Sequence, residues 1–259
     1  MKSFIISILM MIFISSTVSY GQTSLNRPFT SCYEQEFDSC SNCSPETLGW
    51  KTIHTPSPVE CDVTVYYRMK TCICDGVPTV FVDLNYISAD LTACNDLVCW
   101  LHQGPDPCIN NPLIQYRYDQ LEATLYKDLF GLLFEDVKSQ YPCPTTLKFR
   151  KYAVGSCKKV CGAVLSAPGQ PPGTVIYVPK ICNDDVCCYK DYFYCVNPYG
   201  ESLWSSPPTG SSSTCSFNPN EPPCLAVNDT VDILGITYTV TMVMITECYP
   251  SCTDPTLLW

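Results

Sequence analysis

Histidine is nearly absent from this 259-residue chain, which holds only His54 and His102. Nucleophilic hydrolysis of the Ser-His-Asp or Cys-His kind needs a histidine base oriented by an acid, and zinc sites draw heavily on histidine ligands. His54 lies in Thr-Ile-His-Thr-Pro and His102 in Trp-Leu-His-Gln-Gly, and no G-x-S-x-G elbow accompanies either, so both read as surface or packing residues. Charge is scarce too: 15% of residues are ionic, below the usual quarter or so, and acidic side chains outnumber basic ones 25 to 15. The resulting net charge of −10 repels phosphate backbones and argues against a nucleic-acid partner. Long apolar runs are missing beyond the first residues, so no segment after them reaches the about 20 residues needed to span a bilayer.

What the chain has in abundance is cysteine, with 20 residues, alongside 22 prolines and 17 tyrosines. All the cysteines follow an N-terminus that reads as an export signal: Met1-Lys2, an apolar run from Phe4 to Ile14 broken only by Ser7, then the small-residue stretch Ser15 to Gly21. Cleavage after Gly21 leaves no membrane span and places the protein outside the cytoplasm, secreted or periplasmic. An oxidising compartment lets thiols pair, so Cys32, Cys40, Cys43, Cys61, Cys72, Cys74, Cys94, Cys99, Cys108, Cys143, Cys157, Cys161, Cys182, Cys187, Cys188, Cys195, Cys215, Cys224, Cys248 and Cys252 are all expected in structural disulfides. A chain this long buries a core without staples, so the bridges are expected to tie down loops. Cys72 and Cys74 share a strand face and point to one neighbouring segment, whereas the adjacent Cys187 and Cys188 point to opposite faces.

Three regions follow: a signal peptide over 1–21, a loop-rich lead-in over 22–60, and one disulfide-stapled α+β domain over 61–259, interrupted by a Pro/Ser-rich excursion at 205–224. Alternation from Val63 to Cys74 and from Thr79 to Ile87, on either side of Asp75-Gly76, predicts a β-hairpin with Val80, Val82, Leu84 and Tyr86 on one face. Strand character returns at 146–154, 173–181, 186–196 and 236–247, while 94–112 reads as irregular. Asp119 and Glu122 stand in a capping-box arrangement ahead of Leu121, Leu125, Leu129, Leu132 and Leu133, which predicts a helix from Asp119 to Gln140 with Gly131 as a flaw in it. The fold class expected is therefore α+β, mostly β: a disulfide-rich antiparallel sheet with one amphipathic helix packed on it.

Chemistry-bearing patterns are thin. Cys40 and Cys43, Cys157 and Cys161, and Cys248 and Cys252 have metal-ligand or redox spacing, yet disulfides explain them with fewer assumptions, and no metal or cofactor is expected. Asp83, Asp184 and Asp185 read as solvated acids. Asn183-Asp184-Asp185 and Asn228-Asp229-Thr230 read as turn chemistry, the latter and Asn42-Cys43-Ser44 also matching the N-glycosylation acceptor pattern. Aromatic residues cluster at Tyr189, Tyr192, Phe193, Tyr194, Tyr199 and Trp204, and the last two are the candidate ligand-binding pair. The expectation is a secreted binding, adhesion or envelope-associated protein whose partner is an extracellular protein or a glycan. Two alternatives stand beside it: a secreted glycan hydrolase with two carboxylates facing one cleft, and an inhibitor- or toxin-like protein presenting the loop from Cys94 to Cys108.

Overall fold

The computed structural model of the protein describes residues 40–56, 59–102, 114–153, 157–170, 172–183, 188–205, 224–246 and 248–250. The signal segment, Cys32, Cys108, Cys187, Cys215, Cys252 and residues 206–223 lie outside these, as do the side chains of His102, Cys157 and Cys188 and the acids Asp184 and Asp185. The described residues form twelve strands and two α-helices, a mostly β α+β fold. In chain order they are β1 (Cys40–Ser41), β2 (Thr47–His54), β3 (Asp62–Cys74), β4 (Val77–Asp90), α1 (Asn95–His102), α2 (Ile114–Glu135), β5 (Leu147–Ala153), β6 (Cys157–Ser166), β7 (Pro172–Asn183), β8 (Cys188–Val196), β9 (Ser202–Ser205), β10 (Thr230–Ile233), β11 (Ile236–Ile245) and β12 (Tyr249–Pro250).

The hairpin of β3 and β4 is the centre of the sheet. Asp75 and Gly76 both take positive φ, 51° and 77°, as a two-residue turn matched to strand twist demands. The register runs Cys74↔Val77 to Tyr67↔Leu84, then slips so that Tyr66 faces Tyr86 and Asn85 is the extra residue. This bulge corrects the single-face expectation for β4. Val80, Val82 and Leu84 enter the main core, Ile87 and Ala89 continue it, and Tyr86 turns to the opposite face, where it stacks on Tyr66 at 4.2 Å.

β3 carries β2 and β1 on its other edge, so the lead-in contains two strands where loops were expected. Gly49 of β2 lies across from Tyr67, whose ring sits where a Cβ would be, at 2.6 Å; only glycine admits that contact. The far edge of β4 is divided. Thr79 to Val82 pair with β5, and Ile87 to Asp90 pair with β7. From β5 the sheet continues to β8 and β9, and from β7 to β6, β11 and β10. The pairing of β4 with β5 is parallel, which corrects the all-antiparallel expectation: the intervening chain crosses over through both helices and returns in the same direction. Between residues 82 and 87 neither strand lies beside β4, and there the Tyr126 hydroxyl of α2 accepts the Leu84 N–H at 2.9 Å.

Helix α2 packs one face of this sheet with Tyr118, Leu121, Leu125, Tyr126, Leu129, Phe130 and Phe134, all in one core cluster with Val63, Val65, Val82, Phe149 and Tyr192. The helix spans 114–135, not 119–140, and a 3-10 turn occupies 138–140. Asp119 and Glu122 are thus interior, and their carboxylates serve lysines of the sheet instead of a helix cap: Lys158 lies 2.7 Å from Asp119 and 3.1 Å from Glu122, and Lys151 lies 3.0 Å from Glu122. Leu132, read as part of the buried stripe, is 41% exposed. Residues 95–102, expected to be irregular, form α1, with Leu97, Val98 and Leu101 buried. The opposite sheet face carries a smaller core of Ala163, Leu165, Ile176, Val178, Val231 and Val240.

Six disulfides are described. Cys40 joins Cys74 and Cys43 joins Cys72, two rungs between the lead-in and β3, as the shared face of Cys72 and Cys74 predicts. Cys61–Cys94 and Cys143–Cys195 brace the two ends of the helical crossover. Cys161–Cys224 and Cys182–Cys248 bind the last part of the chain to β6 and β7. The metal and redox spacings are thereby dissolved, since Cys40 and Cys43, and likewise Cys161 and Cys248, take distant partners. Cys99 has no disulfide partner among the described residues.

Candidate functional site

A groove of about 640 Å³ opens where the two ends of the helix-bearing half of the sheet meet the outward side of α2. Lys127, Asp128, Gly131, Leu132 and Glu135 form its helical wall, Thr52, Ile53 and His54 of β2 one flank, and Tyr194, Ser202 and Trp204 of β8 and β9 the other. The local sequence explains each wall. Positions 127, 131 and 135 recur every four residues and 128 and 132 fill the same arc, so they share a helix side. Tyr194 and Trp204 are cross-strand partners and therefore neighbours on one face. Gly131, which reads as a flaw in the helix, has open space where a side chain would stand, and that space is the groove.

Trp204 is the largest group lining it, at 37% exposure. Its ring is set by three neighbours: Tyr194 stacks at 6.4 Å, Tyr192 lies at 6.3 Å, and the Lys127 ammonium sits 5.4 Å from the ring centroid. Burial raises the Tyr194 phenol above the ordinary tyrosine range, and the nearby Asp128 charge adds to it. Burial likewise raises the Asp128 carboxyl, with Lys127 opposing. His54 Nδ1 lies 2.9 Å from Asp62 Oδ1 in a solvent-exposed pair. Glu135 is held by Lys138 one turn further on.

The two sequence candidates separate. Trp204 lines the groove, while Tyr199 lies outside it, 88% exposed in the turn from Asn197 to Glu201, where the Asn197 side chain accepts the Tyr199 and Glu201 N–H groups. Tyr192 and Tyr194 share a face, as alternation requires, and both are core residues. Lys127 and Asp128 carry no sequence signal, while Gly131 and Leu132 read only as a flaw in the helix and a core position; the glycine inside an otherwise regular apolar helix is the one pointer to the groove.

The groove holds two carboxylates, Asp128 and Glu135, seven residues apart on one helix and so about 10.5 Å apart along its axis. They stand on the same wall, and Glu135 is engaged by Lys138. Acid pairs that cleave glycosidic bonds flank the bond from two sides at about 5 to 9.5 Å, whereas these two project from one wall. Asp83 is no solvated acid: it is 3% exposed and accepts from Arg68 Nη2 at 2.7 Å and Nε at 3.0 Å. A second ionic group lies beyond it, with Asp191 3.2 Å from Lys148 and 2.7 Å from Arg150. Cys94 is buried and bonded to Cys61, and it opens directly into α1, so the described part of the 94–108 segment is packed and does not project as an inhibitor loop. Among the described residues no group of acids, histidines and cysteines has the makings of a metal site, and no helix is long and apolar enough to cross a membrane. Compared with family models, with curated proteins and with solved structures, the chain matches none of them.

Proposed function

We propose that the protein is exported and works outside the cytoplasm, in a periplasm or beyond the cell, as a disulfide-braced binding protein whose ligand occupies the groove beside Trp204. The observation that carries this reading is the pairing of a preset aromatic wall with an unfilled helical floor: Trp204 is fixed by three neighbours, and Gly131 leaves its side of the groove open. Pre-organised aromatics lose little entropy on binding, so a rigid wall of this kind favours recognition. Bridges such as Cys143–Cys195, adjacent to Tyr194, hold the wall in an oxidising medium. The ligand belongs to the extracellular proteins or glycans.

The test is occlusion. Gly131→Leu places a side chain in the groove from a Cβ that meets nothing within 4 Å and replaces a poor helix former with a good one, so the variant is expected to be as stable as the parent or more so. Screened against extracellular matrix proteins and glycan arrays, the parent is expected to bind a ligand that perturbs the tryptophan fluorescence, and Gly131→Leu and Trp204→Ala are expected to lose it. Ligands that both variants retain place recognition elsewhere on the molecule and overturn the reading.

A further inference from the structure

Thr52, Ile53 and His54 are consecutive, and side chains of consecutive strand residues point to opposite faces. All three line the groove, so the groove runs along the edge of β2 and not merely over one face. β2 pairs with β3 alone among the described strands, which leaves its outer backbone edge open over eight residues, the last three of them at the groove. The devices that blunt an open edge are sparse here: one lysine, Lys51, no proline, and the apolar Leu48 and Trp50 exposed at 65% and 53%.

Resting on the groove as the ligand site, we propose that its occupant is an extended peptide segment of a partner protein that adds to β2 as a further strand. A strand so placed turns alternate side chains toward Ile53, Leu132 and Trp204 on the helix-facing side, and the others toward Leu48 and Trp50 on the opposite side, with Thr52 and His54 continuing that side into the groove. Both of its faces therefore meet apolar surface, and the segment recognised is an uninterrupted apolar run, not an alternating one. Its flanks are basic. The chain carries a net charge of −10, which attracts cationic ends at long range, while on the wall that the segment passes Asp128 and Glu135 stand beside Lys127 and Lys138. The same net charge opposes a second copy of this chain as the occupant.

The test uses the purified full-length exported protein and a capped heptapeptide with lysine at both ends of a Val-Ile-Val-Tyr-Val core. Four probes accompany it: the same peptide methylated on alternate backbone nitrogens, its glutamate-ended form, cellotetraose and chitotetraose. Amide shifts and hydrogen exchange are read over residues 47–54, with the Trp204 indole as a groove reporter. The lysine-ended peptide is expected to shift and protect the β2 amides. N-methylation is expected to weaken binding about tenfold or more, since strand pairing needs those N–H groups. Leu48→Lys with Trp50→Lys, both at exposed positions, is expected to do the same, and the glutamate-ended form is expected to bind several-fold more weakly at low salt, converging at high salt. An oligosaccharide that moves the Trp204 indole and leaves 47–54 unchanged overturns the strand proposal and leaves groove binding standing. Protection of the β2 edge in the protein alone, or a concentration-dependent dimer that the lysine variant abolishes, overturns it in favour of an occupant from this chain. Silence of both reporters to every probe overturns the strand proposal, while the fate of the groove rests on Gly131→Leu.

Discussion

Glu122 offers a sharp test of the energetics. It meets two lysines, Lys151 at 3.0 Å and Lys158 at 3.1 Å, and Asp119 meets Lys158 at 2.7 Å, so two acids balance two bases. The side chains of Glu122 and Lys158 are 7% and 6% exposed, so water screens little of this. Glu122→Gln keeps the shape and leaves one uncompensated positive charge inside. Breaking a buried ion pair from one side costs about 3–5 kcal/mol, which for a chain of this size lowers the melting temperature by about 6–20 °C. The pH dependence has a definite sign. Burial lowers Lys151, with Glu122 opposing and Lys158 reinforcing. Removing Glu122 lowers it further. A base with a depressed folded-state pKa adds stability as pH rises from that value toward its unfolded 10.5, so the deficit of the variant narrows from neutral pH toward 10. Lys158 behaves oppositely: burial disfavours its charge, but Asp119 and Glu122 outweigh burial and raise it, so its contribution is complete below 10.5 and is lost as pH climbs beyond. Glu122→Gln combined with Lys151→Met restores neutrality around the Asp119–Lys158 pair and is expected to lie within about 1 kcal/mol of the parent. Urea unfolding followed by circular dichroism, with disulfides intact, measures Glu122→Gln, Lys151→Met and the double variant against the parent. A Glu122→Gln cost below about 1 kcal/mol at pH 7, or a double variant as unstable as the sum of its singles, refutes the reasoning.

Tyr126→Phe deletes the acceptor of the Leu84 N–H, and leaving a buried donor unmatched is expected to cost about 1–3 kcal/mol, with faster hydrogen exchange at Leu84 as its local signature. Phe130→Ala removes a fully buried ring that lies 5.1 Å from both Phe149 and Tyr192, at an expected cost of about 3–5 kcal/mol in the same unfolding assay. Burial holds the Asp128 carboxyl above its ordinary 3.8, so its contribution to stability is present below that pH and is lost as pH rises through the higher folded value. Asp128→Asn is therefore expected to match or exceed the parent at neutral pH and lose that advantage below about pH 4; a variant less stable at pH 7 contradicts it.

Much of the fold is legible from local pattern, and the exceptions have physical causes. The β3–β4 hairpin is written in its alternation and in Asp75-Gly76. The bulge at Asn85 is not, because pairing register is a property of two strands, and it alone moves Tyr86 to the other face. The helix start is misplaced because Asp119 and Glu122 satisfy two roles with one spacing: three residues apart, they suit a capping box and equally share a helix side facing Lys158. β2 hides among Ser, Thr and Pro because an edge strand whose outer face is solvated needs no sustained apolar alternation. Of the candidate site, Trp204 is visible as an aromatic, while its partners across the groove come from segments about 70 and 150 residues earlier in the chain, brought together only by the crossover.

The divided edge of β4 has a mechanical meaning. Residues 79–82 and 87–90 belong to two panels, one running to β9 and the other to β10, on a shared spine. Lys151 stands on the first panel and Lys158 on the second, so Glu122 is a strut thrown from the helix across the gap between them. The panels are thus joined across the gap by the apolar core under the helix and by these polar contacts, and not by a continuous ladder of backbone bonds. Within that seam Glu122 is the polar tie, one carboxylate that keys the half carrying the groove to the half carrying the second core.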